Sequence, residues 1–68
     1  MDLTIEVERE TDGRWLAEVM ELPGVITYGS SRAEAVLNAK ALALHVIADR
    51  IEHGEAPTEL VGVSFKAA

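Results

Sequence analysis

The chain has 68 residues, no cysteine, and 12 acidic against 6 basic residues, which give a net charge of −6 at pH 7. This length allows one domain, residues 1–68, and the lack of cysteine excludes disulfides and thiolate metal sites. The acidic balance argues against direct binding to nucleic acid, whose phosphates would repel the chain. A core of this size rarely supplies more than about 3–5 kcal/mol, so we expect a homo-oligomer.

The amino-terminal segment predicts a β-hairpin. Residues 3–9 alternate apolar and polar side chains, and so does the segment that begins at Trp15. A three-residue loop ending at Gly13 would pair Val7 with Ala17, whereas a two-residue loop would set Val7 beside an acid. Because a slip of one residue turns every side chain to the other face, the three-residue loop is predicted. Gly13 then takes the left-handed position of a bulged turn.

A compact strand-to-helix connection follows the hairpin. Residues 22–24 read Leu-Pro-Gly and predict a type II turn, and the β-branched and aromatic residues 25–28 predict a short third strand. Ser31 and Glu34 fit a capping box, in which each side chain satisfies a backbone N–H of the first helical turn. A helix is therefore predicted over residues 32–53.

The remaining residues complete an α+β fold. Gly54 is the predicted helix stop, residues 60–65 predict a last strand, and residues 66–68 are expected to fray. The order βββαβ predicts a mainly antiparallel four-stranded sheet in the order 3-2-1-4, with the helix on one face. The first residues lack the pattern of a signal peptide, and no apolar run approaches the roughly 20 residues of a membrane span. We therefore expect a cytoplasmic protein with no membrane partner.

The helix carries two rows of apolar residues on nearly opposite sides. An inner row at helical spacing is expected to cover the sheet; it comprises Ala35, Val36, Ala39, Leu42, Ala43, Val46 and Ile47. An outer row is larger than scattered exposure predicts and is a candidate oligomer contact, although small domains also leave some apolar surface exposed. The candidate oligomer interface comprises this outer helix row, Leu37, Ala41, Leu44, Ala48 and Ile51, together with Tyr28 on the predicted edge strand.

The polar residues carry no catalytic signature. Glu6, Glu8 and Glu18 are expected on the sheet face opposite the helix, either as a solvated surface or as a contact for a basic partner. The spacing of His45 and His53 matches no zinc site. No cofactor and no catalytic residue is predicted.

The segment from Asp12 to Leu44 resembles the HicB-type antitoxin domain of bacterial toxin–antitoxin pairs. The family pattern has an aromatic residue and alanine on the second strand, then Leu-Pro-Gly, a short strand, glycine, a Ser or Thr cap and a Glu-Ala pair. Its counterparts here are Trp15, Ala17, Leu22-Pro23-Gly24, Gly29, Ser31 and Glu34-Ala35. The pattern spans about residues 3–65, and Met20 stands where many members have proline.

The resemblance implies a partial ribonuclease-H-like fold and binding to a small basic HicA-type toxin, a ribonuclease that cleaves mRNA. In the family this domain covers the RNA surface and the catalytic histidine of the toxin. Full-length members usually carry a C-terminal DNA-binding segment that has no counterpart in these residues, so DNA binding is not carried over. A metal-dependent nuclease would need an acid on the last strand, and that strand has none.

Two functions are therefore expected from the sequence. The first is an antitoxin that acts by occlusion, and its candidate toxin-binding residues are Glu6, Glu8, Glu10 and Glu18. The second is an orphan HicB-type domain that serves as a small oligomeric binding or scaffold module.

Overall fold

A computed structural model describes residues 1–55 and 62–67 of the chain. Four strands form one mixed sheet in the order β3-β2-β1-β4, and a single long helix packs on one face of it. The predicted fold class and strand order are confirmed. The elements are β1 (Asp2–Arg9), β2 (Trp15–Val19), β3 (Ile26–Gly29), α1 (Arg32–Glu52) and β4 (Ser64–Ala67).

The first hairpin has the predicted register. Val7 pairs with Ala17 and Ile5 with Val19, so these four residues lie on the face that α1 covers. The N–H of Gly13 donates to the carbonyl of Glu10 at 3.0 Å, which closes the turn. Gly13 has φ of +92°, a backbone conformation that glycine adopts without steric cost. The alternation of apolar and polar residues along the two strands therefore predicted the loop length correctly.

The Leu-Pro-Gly turn directs β3 back along β2. The N–H of Val25 donates to the carbonyl of Leu22 at 3.1 Å, and Gly24 has φ of +89°, as a type II turn requires. Val25 takes part in this turn, so β3 begins one residue later than predicted, at Ile26. The helix follows β3 after only two residues, Ser30 and Ser31.

The helix ends are capped mostly as predicted. The hydroxyl of Ser31 accepts a hydrogen bond from the N–H of Glu34 at 3.1 Å. The Glu34 carboxylate accepts from the hydroxyl of Ser30 at 2.7 Å, so the acid anchors the residue before the cap. At the other end, Gly54 donates to Ile51 and Glu55 donates to Arg50, the two hydrogen bonds of a Schellman motif.

The last strand differs from the prediction. It spans Ser64–Ala67, so the expectation that Lys66 and Ala67 fray is wrong; Leu60 and Val61 of the predicted strand, and Ala68, lie outside the described residues. The reason is parallel pairing with β1, in which Leu3 is the partner of Phe65 and Ile5 that of Ala67. Since these partners are about sixty residues away along the chain, no local pattern indicates that the strand extends through Lys66 and Ala67.

The core lies between α1 and the inner sheet face. The buried residues are Leu3, Ile5, Ala17, Val19, Leu22, Val25, Ala35, Val36, Ala39, Ala43 and Ile47. Those on the helix belong to the predicted inner row, and its remaining members, Leu42 and Val46, pack against this core while partly exposed. Trp15 of β2 also packs against this core while partly exposed, as the alternation of side chains along the strand predicted. Within the described residues, no helix is long and apolar enough to cross a membrane.

Candidate functional site

The sheet face that α1 leaves uncovered is the first of two candidate surfaces, and we call it the outer sheet face. Strand alternation places Glu6 and Glu8 of β1 and Glu18 of β2 on it, as expected from the sequence. Glu6 and Glu18 are direct cross-strand partners. Glu10 lies beyond the end of β1, where its backbone closes the hairpin turn.

Apolar side chains lie beside these acids. Leu16 and Tyr28 are cross-strand partners between β2 and β3, and Ile26 is the partner of Glu18. Ile26 and Tyr28 are each 44% exposed. An open depression of about 380 Å³ is lined by Glu6, Val7, Glu8, Leu16 and Glu18. Acidic and apolar side chains thus lie side by side on the outer sheet face.

A cation is held at the rim of this surface. The Arg14 guanidinium lies 4.5 Å from the centre of the Tyr28 ring, a cation–π distance. Its Nε also donates to the carboxylate of Asp12 at 2.7 Å. The N–H of Arg14 donates to the same carboxylate, and these two bonds lower the pKa of Asp12, with the backbone bond as the larger cause. Arg14 therefore contacts both the Tyr28 ring and the Asp12 carboxylate.

The acids are not gathered into a metal-binding group. Among the residues that the structure describes, no three His, Asp or Glu side chains are placed to hold a metal ion together. Glu6 and Glu18 oppose each other across the strands, and like charges in this position disfavour each other. A cationic group placed over this pair would relieve that repulsion.

The second candidate surface is the outer helix row. Leu37, Leu44 and Ile51 are 63%, 49% and 53% exposed, and both alanines of the row are exposed as well. His45 beside them is exposed as well. The structure does not bring Tyr28 together with this row, because Tyr28 points from the opposite side of the sheet.

The free edge of β3 is partly closed. The N–H of Val19 donates to Val25 at 3.0 Å, so by alternation the backbone groups of Ile26 and Tyr28 point away from β2. The side chain of Asn38 donates to the carbonyl of Tyr28 at 2.9 Å, and the N–H of Ile26 donates to Gly24. Two outward groups are thereby used within the chain, a protection common on edge strands.

Sequence reasoning identified the acids but missed their apolar neighbours. The available signal was parity: Leu16 lies between the inward residues Trp15 and Ala17 and must point outward. The outward direction of Ile26 and Tyr28 depends on the β2–β3 register, which the Leu-Pro-Gly turn sets. Nothing in the local pattern indicated that Arg14 would reach Tyr28.

Comparison of the chain with protein families, with curated proteins and with solved structures finds no match.

Proposed function

We propose that this chain is a HicB-like antitoxin of the cytoplasm that neutralises a HicA-type, mRNA-cleaving toxin by binding and occlusion. It acts in stoichiometric amounts and catalyses no reaction of its own. The order of motifs from Trp15 to Ala35 supports the family, and the outer sheet face supports the mode of action.

The observation that carries the proposal is the mixed character of the outer sheet face. Interfaces combine a desolvated apolar centre with a charged rim, and aromatic residues are enriched in the centre. Here Tyr28 and Ile26 are exposed next to the acids Glu6 and Glu18. Exposed Tyr and Ile side chains beside acids match this pattern of an apolar centre next to a charged rim.

The acids and the apolar residues have different roles in this proposal. Glu6, Glu8 and Glu18 attract a basic toxin and accelerate encounter, because complementary charge acts mainly on the association rate. Binding a lysine or arginine also relieves the Glu6–Glu18 repulsion. Tyr28 and Ile26 bury apolar area in the complex and slow dissociation.

The test is co-expression of this chain with a HicA-type toxin, chosen first from the neighbouring reading frame. The wild-type chain should restore growth that the toxin arrests. The double variant Glu6→Lys/Glu18→Lys should bind the purified toxin at least about tenfold more weakly and lose most of the dependence on salt. A matched control is Glu52→Lys, which changes an exposed acid at the far end of α1.

The outcomes separate the candidates. Rescue that is lost in the double variant and retained in Glu52→Lys supports the proposal. Rescue that both retain would place the contact elsewhere, and failure of the wild-type chain to rescue would reject the antitoxin function.

A second candidate function is an orphan HicB-type domain that works as an oligomeric binding or scaffold module. The exposed outer helix row favours it, because that row needs no toxin to explain it. The discriminating observation is the neighbouring reading frame: a short basic protein with one central histidine favours the antitoxin, and its absence favours the module.

A further inference from the structure

The turn between β1 and β2 contains the one place in the sequence where glycine follows an aspartate or asparagine. Such a pair is prone to spontaneous isomerisation, because glycine has no side chain to keep its backbone nitrogen away from the preceding carboxyl carbon. We propose that Asp12–Gly13 is a site of isoaspartate formation, and that Arg14 suppresses the reaction while the hairpin is closed. The inference does not depend on whether the chain is an antitoxin.

The reaction needs only water and the two residues. The backbone nitrogen of Gly13 attacks Cγ of Asp12, a C–N bond forms, and the N–H proton leaves with one carboxyl oxygen as water. The product is a five-membered succinimide ring. Water then opens the ring: cleavage of the bond to Cγ restores aspartate, whereas cleavage of the bond to the main-chain carbonyl carbon gives isoaspartate. The mass of the chain is therefore unchanged.

Arg14 holds both oxygens of the Asp12 carboxylate. Its backbone N–H donates to Oδ1 at 3.0 Å, and its Nε donates to Oδ2 at 2.7 Å. These bonds lower the pKa of Asp12, with the backbone bond as the larger cause, because they favour the charged form. An ionised carboxylate resists attack by a nucleophile, since an oxide ion would have to leave. The bonded form is thus the unreactive one.

The attacking nitrogen is engaged as well. The N–H of Gly13 donates to the carbonyl of Glu10 at 3.0 Å, and the N–H of Glu10 donates to the carbonyl of Arg14 at 2.7 Å. The Arg14 guanidinium lies 4.5 Å from the centre of the Tyr28 ring, a second contact that favours its position. The closed hairpin therefore occupies both reacting groups, and the reaction has to wait for the turn to open locally.

Isomerisation would change the hairpin itself. In isoaspartate the main chain runs through Cβ and Cγ of residue 12, so the loop between the strands gains one main-chain atom. The free carboxylate moves to Cα, away from the place where Arg14 binds it. The length of this loop sets the pairing of Val7 with Ala17, so the modified turn no longer matches the register of the sheet.

Ageing of the purified chain at neutral pH tests the site. An isoaspartyl methyltransferase with a labelled methyl donor measures the amount of isoaspartate, and the retention time of tryptic peptide 10–14 locates it, since Arg9 and Arg14 bound that peptide. The chain unfolded in urea should react at least about tenfold faster than the folded chain, because its turn is open. Asp12→Glu should abolish the product, because glutamate would have to form a six-membered ring.

Three variants of the folded chain separate the guanidinium from general stability. Arg14→Ala should isomerise about two- to fivefold faster than the wild type, the factor that an exposed ion pair contributes. The matched control Arg9→Ala removes an exposed arginine of the same hairpin that does not bind Asp12, and it should leave the rate unchanged. Ser31→Ala weakens the helix cap outside the turn and should also leave the rate unchanged. Circular dichroism of each variant verifies the fold.

Several results would overturn the inference. Equal rates in the folded and the unfolded chain would show that the closed hairpin gives no protection. An Arg14→Ala rate equal to that of the wild type or of Arg9→Ala would remove the role of the guanidinium. Equal acceleration by Ser31→Ala and Arg14→Ala would mean that the reaction follows global unfolding. Isoaspartate that persists in Asp12→Glu would place the site elsewhere.

Discussion

Replacing Gly29 with alanine tests the close approach of α1 to the sheet. A Cβ added at Gly29 would lie 2.5 Å from the backbone nitrogen of Ala35 and 3.0 Å from its Cα. Ordinary contact begins at 3.4 Å, so relief needs a displacement of about 0.9 Å, the difference between 3.4 and 2.5. The atoms that clash belong to the backbone, and no rotamer change can relieve them.

The helix start cannot move without losing other contacts. The hydroxyl of Thr27 donates to the carbonyl of Ala35 at 2.9 Å, and Asn38 donates to the carbonyl of Tyr28 at the same distance. Overpacking of this kind costs about 1–3 kcal/mol. The gain from restricting the unfolded chain is only about 0.4–1 kcal/mol, so Gly29→Ala should be destabilising by about 1–2 kcal/mol.

Urea unfolding followed by circular dichroism measures this loss. For a small domain with a slope near 1 kcal/mol per M, the midpoint should fall by about 1–2 M. Gly62→Ala is the neutral control, because an added Cβ there meets no atom within 4 Å and the backbone is not left-handed. Gly13→Ala isolates backbone strain, since its φ is +92° and the surrounding space is open. A Gly29→Ala midpoint equal to that of Gly62→Ala would refute the reasoning.

Two further perturbations follow from the caps and the turn. Ser31→Ala should cost about 1 kcal/mol by urea unfolding, because the Glu34 N–H loses its acceptor; an unchanged unfolding midpoint in Ser31→Ala would show that the hydroxyl of Ser31 is not the cap. Asp12 has a lowered pKa in the folded chain, so its stabilisation is complete above the unfolded pKa and is lost as the pH falls through the folded one. The melting temperature of the wild type should therefore fall more steeply below about pH 4 than that of Asp12→Asn, and parallel curves would contradict this contribution.

The elements that local chemistry determines could be predicted from the sequence. The requirement that Val7 and Ala17 lie on the same face predicted the hairpin register, and Ser31 marked the helix start within one residue. Gly24 of the Leu-Pro-Gly turn and Gly54 after the helix both adopt a positive φ, and each marked the end of the element before it. In each case the deciding residues are neighbours along the chain, so their pattern is visible without the fold.

What depends on distant contacts was harder to predict. Lys66 and Ala67 look like a polar tail, and only the pairing with β1 makes them a strand. Likewise, the sequence alone assigned Tyr28 to the candidate oligomer interface together with the outer helix row. The register of β3 places it on the opposite face of the sheet. The acids of the outer sheet face lie on the predicted hairpin and were anticipated, whereas Ile26 and Tyr28 could be placed only once the third strand was positioned.

The hydrogen bond from Asn38 to Tyr28 has a consequence for aggregation. A sheet that is open at both margins can add strands without limit and grow into a fibre. Here the side chain of Asn38 bonds the outward carbonyl of Tyr28 at the β3 margin, so strand addition there must first break a bond within the chain. Because a fibre has to add strands at both margins of the sheet, this hydrogen bond opposes fibre growth.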